Sequence, residues 1–353
     1  MSPPVGDIGV RMLSDDQMLA NYGLIDTEGV FAHGIYSSGG NAVINNSGSI
    51  ATDGTFGAGI YSNGSNAAIS NSGSIDTTGP QAFGIYSTGL NATITNSGSI
   101  DTKGALAYGI YSVGSNAAIS NSGSIHTTGG TAIGIYAVGG NATITNSGSI
   151  KTTGGDAYGI FSFLSDATIT NSGTIISEQS DAIRFFSDGA TLNLLAGTAI
   201  QGGIVFSSVG NTVSFGPGLN ALMTFTGAGG MPGTVETSGN PYVINGNTIA
   251  VLDRAGFVLA EDMTLALAGG IAGAAGSGLG LCLPEDGEDC STRAWLTGLG
   301  GFGGNAGNDG LAGFEHMAGR WRGSSSCPKA ASAAASSSAP LRHAASSARA
   351  RRR

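Results

Sequence analysis

The sequence has little charge and almost no cysteine. Charged residues make up 10% of its 353 residues, against about 25% in a typical globular domain. The three cysteines, Cys282, Cys290 and Cys327, all lie beyond residue 280, and their spacing fits no metal-binding motif. These counts argue against a disulfide framework and a metal centre. Whether Cys282 and Cys290 pair across the acidic loop between them stays open.

Basic residues are scarce except near the C-terminal end. Residues 320–353 hold eight of the 14 Lys and Arg and no acid, so positions 1–319 carry six basic and 23 acidic groups, a net charge of −17. An acidic body disfavours nucleic acid and anionic membranes as partners. No run of 18 or more apolar residues predicts a membrane helix. Residues 1–20 lack the basic start and apolar core of an export signal.

Glycine, by contrast, is abundant, and much of it recurs at one fixed interval. Ser-Gly-Ser-Ile begins at 47, 72, 97, 122 and 147, and Gly-Ile-Tyr begins at 34, 59, 84, 109 and 134. Each 25-residue repeat contains three short β-branched segments, separated by turns rich in Gly, Asn and Ser, that suit strands and are too short for helices. Such a repeat is one coil of a solenoid whose strands pair in parallel with the next coil. The sequence therefore predicts an all-β, right-handed, single-stranded parallel β-helix over residues 1–250.

Stacked coils predict columns of equivalent side chains. Two core columns are expected to run from Ile44 to Ile169 and from Ile50 to Ile175. A third core column is expected at Ile35, Ile60, Ile85, Ile110, Ile135 and Ile160. Further along, Phe185, Leu194 and Ile200 are expected to continue these columns. The direction of the column from Tyr36 to Phe161 stays open, although strict alternation with Ile35 would place it outside.

Two asparagine columns are expected to form turn ladders, because stacked amides bond to one another and Asn tolerates left-handed backbone. One column runs from Asn41 to Asn141. The other consists of Asn46, Asn71, Asn96, Asn121, Asn146 and Asn171. The glycines beside the second column are expected to need the same backbone freedom; they are Gly48, Gly73, Gly98, Gly123 and Gly148.

The strongest candidate for chemistry is the position after Ser-Gly-Ser-Ile, where Asp76 and Asp101 stand one coil apart and His126 comes next. A β-helix enzyme needs carboxylates or basic groups that converge on one face. A solvated surface column is the simpler interpretation, and we favour it. Residues 298–303 match G-x-G-x-x-G by chance, since no βαβ unit surrounds them. We therefore assign no catalytic, cofactor-binding or metal-binding residue and expect no cofactor.

The coils and the segment after them resemble a bacterial autotransporter, a type V secretion protein. Asn247-Thr248-Ile249-Ala250-Val251-Leu252-Asp253, followed by Phe257-Val258-Leu259-Ala260, resembles the passage from passenger to linker. Arg293-Ala294-Trp295-Leu296-Thr297-Gly298 resembles the opening strand of the family's outer-membrane barrel. The resemblance implies a β-helical passenger at 1–250, a linker with a short helix at 251–293 and a truncated barrel start at 294–319.

Residues 320–353 are an Ala-, Ser- and Arg-rich mixture without a β pattern. We expect a disordered basic tail there, of the kind that a frameshift produces. With no export signal and few strands for a barrel, the chain is expected to be a fragment of a longer protein. Contact with the outer membrane would require the full barrel.

Two function classes remain. The first is a non-catalytic passenger, a scaffold or adhesin on the cell surface, at the outer membrane or secreted, whose partner would be a host-surface or extracellular protein or glycan. The second is a β-helix enzyme, a lyase or glycosidase, that acts on polysaccharide. Such enzymes interrupt the repeat with long loops that build a cleft. Seven successive intervals between repeats contain no insertion here, which favours the first class.

Overall fold

The computed structural model describes residues 6–253, and its regular elements in that range are 28 β-strands. Strands of successive coils pair in parallel, with Ile94 opposite Ile69 and Ile119, for example. About nine coils stack in this way. The predicted all-β parallel solenoid is therefore confirmed, whereas its right-handed coiling stays a prediction. The linker helix, barrel start and tail lie outside the described residues.

Three strands per coil form three faces of the solenoid. The first face holds β1 (Val10–Met12), β4 (His33–Ser37), β7 (Ala58–Ser62), β10 (Phe83–Ser87), β13 (Ile110–Ser112), β16 (Ile135–Ala137) and β19 (Ile160–Ser162). The second holds β2 (Met18–Asn21), β5 (Val43–Asn46), β8 (Ala68–Asn71), β11 (Thr93–Asn96), β14 (Ala118–Asn121), β17 (Thr143–Asn146), β20 (Thr168–Asn171), β22 (Thr191–Leu194), β24 (Thr212–Phe215) and β26 (Thr234–Glu236). The third holds β3 (Leu24–Glu28), β6 (Ser49–Asp53), β9 (Ser74–Thr78), β12 (Ser99–Lys103), β15 (Ser124–Thr128) and β18 (Ser149–Thr153).

The later coils are less regular. Two long strands, β21 (Thr174–Phe185) and β23 (Ala199–Phe206), continue the third face directly into the first. The last coils end in a small antiparallel arrangement, in which β28 (Thr248–Val251) pairs with β25 (Ala221–Thr226) and with β27 (Tyr242–Asn245). Residues 6–253 contain no helix of the length and hydropathy needed to cross a membrane.

The core is built from isoleucine. The columns that contain Ile35, Ile44 and Ile50 are at most 2% exposed over six coils. Alternation along each short strand puts one isoleucine inward and its neighbours outward, and burying one such side chain contributes about 1.5–3 kcal/mol. Every coil repeats the same three isoleucine contacts with the coils next to it. The solenoid is therefore a one-dimensional stack in which each coil is stabilised by the neighbouring coils.

The two asparagine columns differ in kind. Asn41, Asn66 and their equivalents are exposed and have φ near 57°, the left-handed backbone expected for a turn. The column of Asn46 and Asn96 is instead buried at strand ends, without positive φ. Each of its amides donates to the next coil, as Asn71 Nδ2 does to Asn96 Oδ1 at 2.8 Å. This inner ladder is therefore part of the core and not a turn.

The glycines beside the inner ladder are needed for a different reason from the one expected. None of Gly48, Gly73, Gly98, Gly123 and Gly148 has positive φ. A Cβ on Gly98 would lie 2.0 Å from the carbonyl oxygen of Gly73 in the preceding coil. The corner of each coil rests directly on the backbone of the next, so any side chain would force the coils apart.

The regular 25-residue register of the repeat first breaks after Ile160, and later steps are also shorter. Ile160 pairs with Ile183, a shorter step than in the coils before it, so Phe185 lies opposite Ser162 and does not continue the Ile160 column. Leu194 likewise lies opposite Asn171, whereas Ile200 does pair with Ile175. The expected continuation was thus wrong for Phe185 and Leu194. Residues 176–182 contain no glycine and no left-handed backbone, so the chain rounds this corner as a continuous strand.

Where the register changes, the inner ladder ends. Leu194 replaces the next asparagine, and Thr198 takes over the hydrogen bonds: Asn171 Nδ2 donates to Thr198 Oγ1 at 3.3 Å, and Thr198 Oγ1 donates to the Asn171 carbonyl at 2.7 Å. The core beyond this point is filled by larger side chains, with Phe185 stacked on Phe206 at 5.0 Å.

Candidate functional site

The charged column after Ser-Gly-Ser-Ile is brought together on the outside of the third face. Asp101 lies between Asp76 and His126 in register. Lys103 Nζ lies 3.4 Å from Asp76 Oδ1 and 4.0 Å from Asp101 Oδ1, and His126 Nδ1 lies 3.6 Å from Asp101 Oδ2. The carboxylates therefore face a lysine and a histidine in a chain of weak surface ion pairs.

This column has no enclosure that would support catalysis. The Asp76 and Asp101 side chains are 52% and 39% exposed, so water screens their charges. Within residues 6–253, no three His, Cys, Asp or Glu side chains are placed to hold a metal ion together. The next member, Lys151, pairs with Glu178 at 2.8 Å. The geometry is that of a solvated charge column.

A second surface feature is an aromatic ladder on the first face. It consists of Tyr36, Tyr61, Tyr86, Tyr111, Tyr136 and Phe161, all half-buried and directed outward. From Tyr61 onward the rings stack nearly parallel, with centroids 4.7–5.2 Å apart and interplanar angles of 4–16°. The spacing is that of the strands beneath them, so the backbone register itself sets the ladder.

An arginine lies at each end of the aromatic ladder, one coil beyond its first and its last ring. Arg11 pairs in register with Tyr36, and Arg184 pairs with Phe161. Arg184 Nη1 donates to the Tyr158 hydroxyl at 2.9 Å, and its guanidinium lies 5.2 Å from the centroid of that ring. Because the ladder rings cover one another's faces, their edges and hydroxyls are what the ladder offers to solvent.

A flanking row runs beside the ladder, three residues earlier in each coil. Its members are His33, Ala58, Phe83, Tyr108, Ile133 and Tyr158. Between this row, the ladder and the turn residues Phe31, Phe56, Gln81 and Leu106 lies an open groove with a volume of about 420 Å³. The turn residues have φ of 56–61°, a strained conformation for Phe and Leu that turns their side chains onto this surface.

The groove is lined without charge at neutral pH. Burial, and secondarily the Arg11 guanidinium, lowers the pKa of His33 to about 4. Burial raises the pKa of Tyr108 to about 12, with smaller contributions from Tyr136 and Tyr111. It also raises the pKa of Tyr86, again with neighbouring tyrosines contributing. The groove therefore offers rings, hydroxyls and the Gln81 amide to an uncharged ligand.

Sequence reasoning identified the Tyr36–Phe161 column but not the groove. The sequence did contain a sign of the groove. Three residues before each ladder residue, His, Phe and Tyr recur among small or aliphatic residues. The aromatic ladder and the flanking row could be recognised as walls of one groove only once the side chains of both were known to point outward. That required the strand boundaries and the left-handed turn at Phe56, which a repeat consensus does not contain.

We expect acid to destabilise the protein partly through His33. Its folded-state pKa lies below the unfolded value, so its stabilising effect is present above pH 6.5 and is lost as the pH falls towards 4. At pH 4.5 the cost should be on the order of 2 kcal/mol. His33→Phe should flatten this part of the pH dependence, as measured by chemical unfolding at pH 7.5 and 4.5.

His126→Phe is the matched control, because His126 is exposed beside Asp101. It should leave the difference in unfolding free energy between the two pH values within about 0.5 kcal/mol of the wild type. An equal pH dependence in wild type and His33→Phe would contradict the burial of a neutral imidazole at this position.

Comparison with known families gives one result. Residues 61–206 match the model of a family described as the BigA third pectate lyase-like domain. No curated protein and no solved structure matched the chain. The matched range runs from Tyr61 to Phe206, and so includes most of the aromatic ladder and the first of the less regular coils. The family match and the stacked parallel strands together fit a β-helical, passenger-like protein.

Proposed function

We propose that this protein is the non-catalytic passenger of an autotransporter-like secretion system, displayed outside the cell as a binding scaffold. The observation that carries the proposal is the unbroken outer surface. Strands of the third face keep a constant step from Ile25 to Ile200 without an inserted loop. A strand face without inserted loops suits repeated contacts over a long surface better than catalysis at one point.

The aromatic ladder supports a binding role. Aromatic side chains are enriched at protein interfaces because a large ring buries much area while its polar group stays bonded. Here six rings continue over six coils beside an uncharged groove. Asparagine, serine and threonine occupy many of the other exposed positions of the coils, so the ladder and groove differ in chemistry from the surface around them.

The competing function is a polysaccharide lyase or glycosidase, which the description of the matched family favours. Its best candidates are Asp76 and Asp101. Asp76 is exposed and Asp101 is half-exposed with its Oδ1 covered, and both lie near the ammonium of Lys103. A shared cation on an open strand face provides no cleft in which the pair could act as general acid and base on a sugar. The scaffold therefore accounts better for the geometry.

The full chain should not cleave polyuronates or neutral glycans, with or without calcium. Product formation is measured by release of reducing ends and by absorbance of unsaturated uronides. Asp76→Asn and Asp101→Asn should behave like the wild type. Turnover that either variant abolishes, while Asp53→Asn retains it, would establish an active site in this column and reject the scaffold.

Export is tested separately by surface proteolysis of intact cells that produce the protein. Digestion of the coils without lysis supports display outside the cell. Protection of the coils until the cells are lysed, with a periplasmic marker equally protected, contradicts it.

A further inference from the structure

The outer side of the second face is a regular array of small side chains. Along each strand of this face, alternate residues are buried and the residues between them lie outside. From β11 to β24 the outer residues are only Thr, Ser, Ala and Asn. In strand order they are Thr93 and Thr95, Ala118 and Ser120, Thr143 and Thr145, Thr168 and Thr170, Thr191 and Asn193, and Thr212 and Ser214.

This array keeps its register even where the coils become shorter. The ten strands of the second face form nine parallel pairings without a register shift, whereas β21 and β23 pair with two shifts. Thr168 lies opposite Thr191, and Thr191 lies opposite Thr212, although these steps contain fewer than 25 residues. The shorter coils therefore lose residues outside this face.

The constant register makes the array a two-dimensional lattice. Equivalent residues repeat about every 4.8 Å from coil to coil, and the two outer residues of one strand lie about 6.7 Å apart. Both distances are close to repeat distances of oxygen atoms in hexagonal ice. The branched Cβ of Thr restricts χ1, so the Thr methyl and hydroxyl groups hold fixed places in the lattice.

The array is uncharged and leaves its hydroxyl groups to solvent. None of the outer residues from β5 to β24 is Asp, Glu, Lys or Arg. Asn193 Nδ2 donates to Thr170 Oγ1 at 3.2 Å, and within residues 6–253 no other side chain of the array bonds to a protein group. Water therefore supplies the partners of the hydroxyls, and water beside the methyl groups is restricted in its orientation.

We propose that this array, the threonine face, binds ice. Water molecules held by the hydroxyls and ordered around the methyls take up the spacing of the lattice, and this layer joins the surface of an ice crystal. The proposal goes beyond the proposed function, because it concerns a different face from the groove. It holds whether or not the coils are displayed outside the cell.

Two other occupants suit the threonine face less well. Ten strands of four residues cover about 43 Å by 13 Å, or about 560 Å², whereas a stable interface buries about 800 Å² on each partner. A second copy of the chain would therefore find too little area here. A crystalline polysaccharide presents the faces of sugar rings, for which flat aromatic side chains are suitable partners, and the array has no aromatic residue.

The test measures how the full chain adsorbs to ice. A single ice crystal is grown slowly in a dilute solution of the purified protein, and the fraction of protein retained in the ice is determined. Thermal hysteresis, the gap between the melting and freezing points of a crystal in the same solution, is the second measurement. Thr145→Lys places a long charged side chain in the middle of the array. Thr128→Lys is the matched control, because Thr128 lies outside on β15 of the third face.

We expect the wild type and Thr128→Lys to be retained in ice and to produce hysteresis, and Thr145→Lys to lose both. Ser120→Lys, which also changes the array, should behave like Thr145→Lys, so the comparison remains if one variant fails to fold. Circular dichroism near 0 °C shows which variants are folded. Exclusion of the wild type from ice would overturn the proposal, as would equal retention of the wild type and a folded array variant.

The other occupants have their own results. Dimers of the wild type in sedimentation, dissociated by Thr145→Lys and not retained in ice, would assign the face to a second copy. Retention on microcrystalline cellulose or chitin, but not in ice, would assign it to a polysaccharide. Either result would overturn the proposal.

Discussion

Replacing Ile94 by Asp is expected to lower the free energy of unfolding by about 5 kcal/mol. Ile94 is fully buried in β11 and stacks between Ile69 and Ile119. The substitution removes the packing of a core side chain and places a carboxyl group in a column of isoleucine side chains, which offer it no hydrogen bond. Even a protonated carboxyl would leave its hydrogen-bonding groups unmet in the apolar column. Chemical denaturation of the full chain, followed by circular dichroism, measures the change.

Thr95→Asp is the control for this prediction. Thr95 is adjacent in β11 but exposed, so a charge there stays in water and should change the unfolding free energy by no more than about 0.5 kcal/mol. Equal stability of the two variants would show that β11 does not present Ile94 to a dry core. It would also reject the register on which the other columns depend.

Asn96→Ala is expected to cost about 3 kcal/mol, because it interrupts the inner ladder. Asn96 is fully buried; it accepts from Asn71 Nδ2 and donates to Asn121 Oδ1, each at 2.8 Å. Alanine leaves the Asn121 oxygen without its donor and opens a cavity in the corner of the coil. The same denaturation experiment measures this loss.

The outer asparagine column supplies the comparison. Asn91 donates to Asn66 Oδ1 at 3.0 Å but is exposed, with φ of 57°. Asn91→Gly keeps the left-handed backbone accessible, and water can replace the lost hydrogen bond at this exposed position. The substitution should therefore cost less than about 1 kcal/mol of unfolding free energy. If both substitutions cost the same, burial would not be what distinguishes the two ladders.

The repeat contained enough information for the fold and its core because a solenoid has a local rule. Once one coil is fixed, each isoleucine must stack on its counterpart in the neighbouring coil, as Ile94 does on Ile69. The break after Ile160 could not be foreseen from the same rule. It depends on how residues 176–182 pass a corner without glycine, and the shorter step moves Phe185 into the position of Ser162.

The sequence also predicted which charged residues would meet, since Asp76, Asp101 and His126 share one register position. Whether they form a site depended on what surrounds them. Lys103, two residues along the same strand, reaches back to both carboxylates. The direction of the Lys103 side chain is set by three-dimensional packing, and the 25-residue spacing of the repeat does not predict it.

By itself, therefore, the sequence determined the parallel stack, its three isoleucine columns and the bonding of its asparagines along the coils. Only the tertiary structure decided that the inner asparagines belong to the core and that the outer ones lie in turns. The burial of each column depends on where the chain bends at the corner of each coil. It also decided that Gly98 is required by a carbonyl in the coil before it and not by its own φ. The groove beside the ladder arises in the same way, since it forms between side chains from several coils that no single repeat brings together.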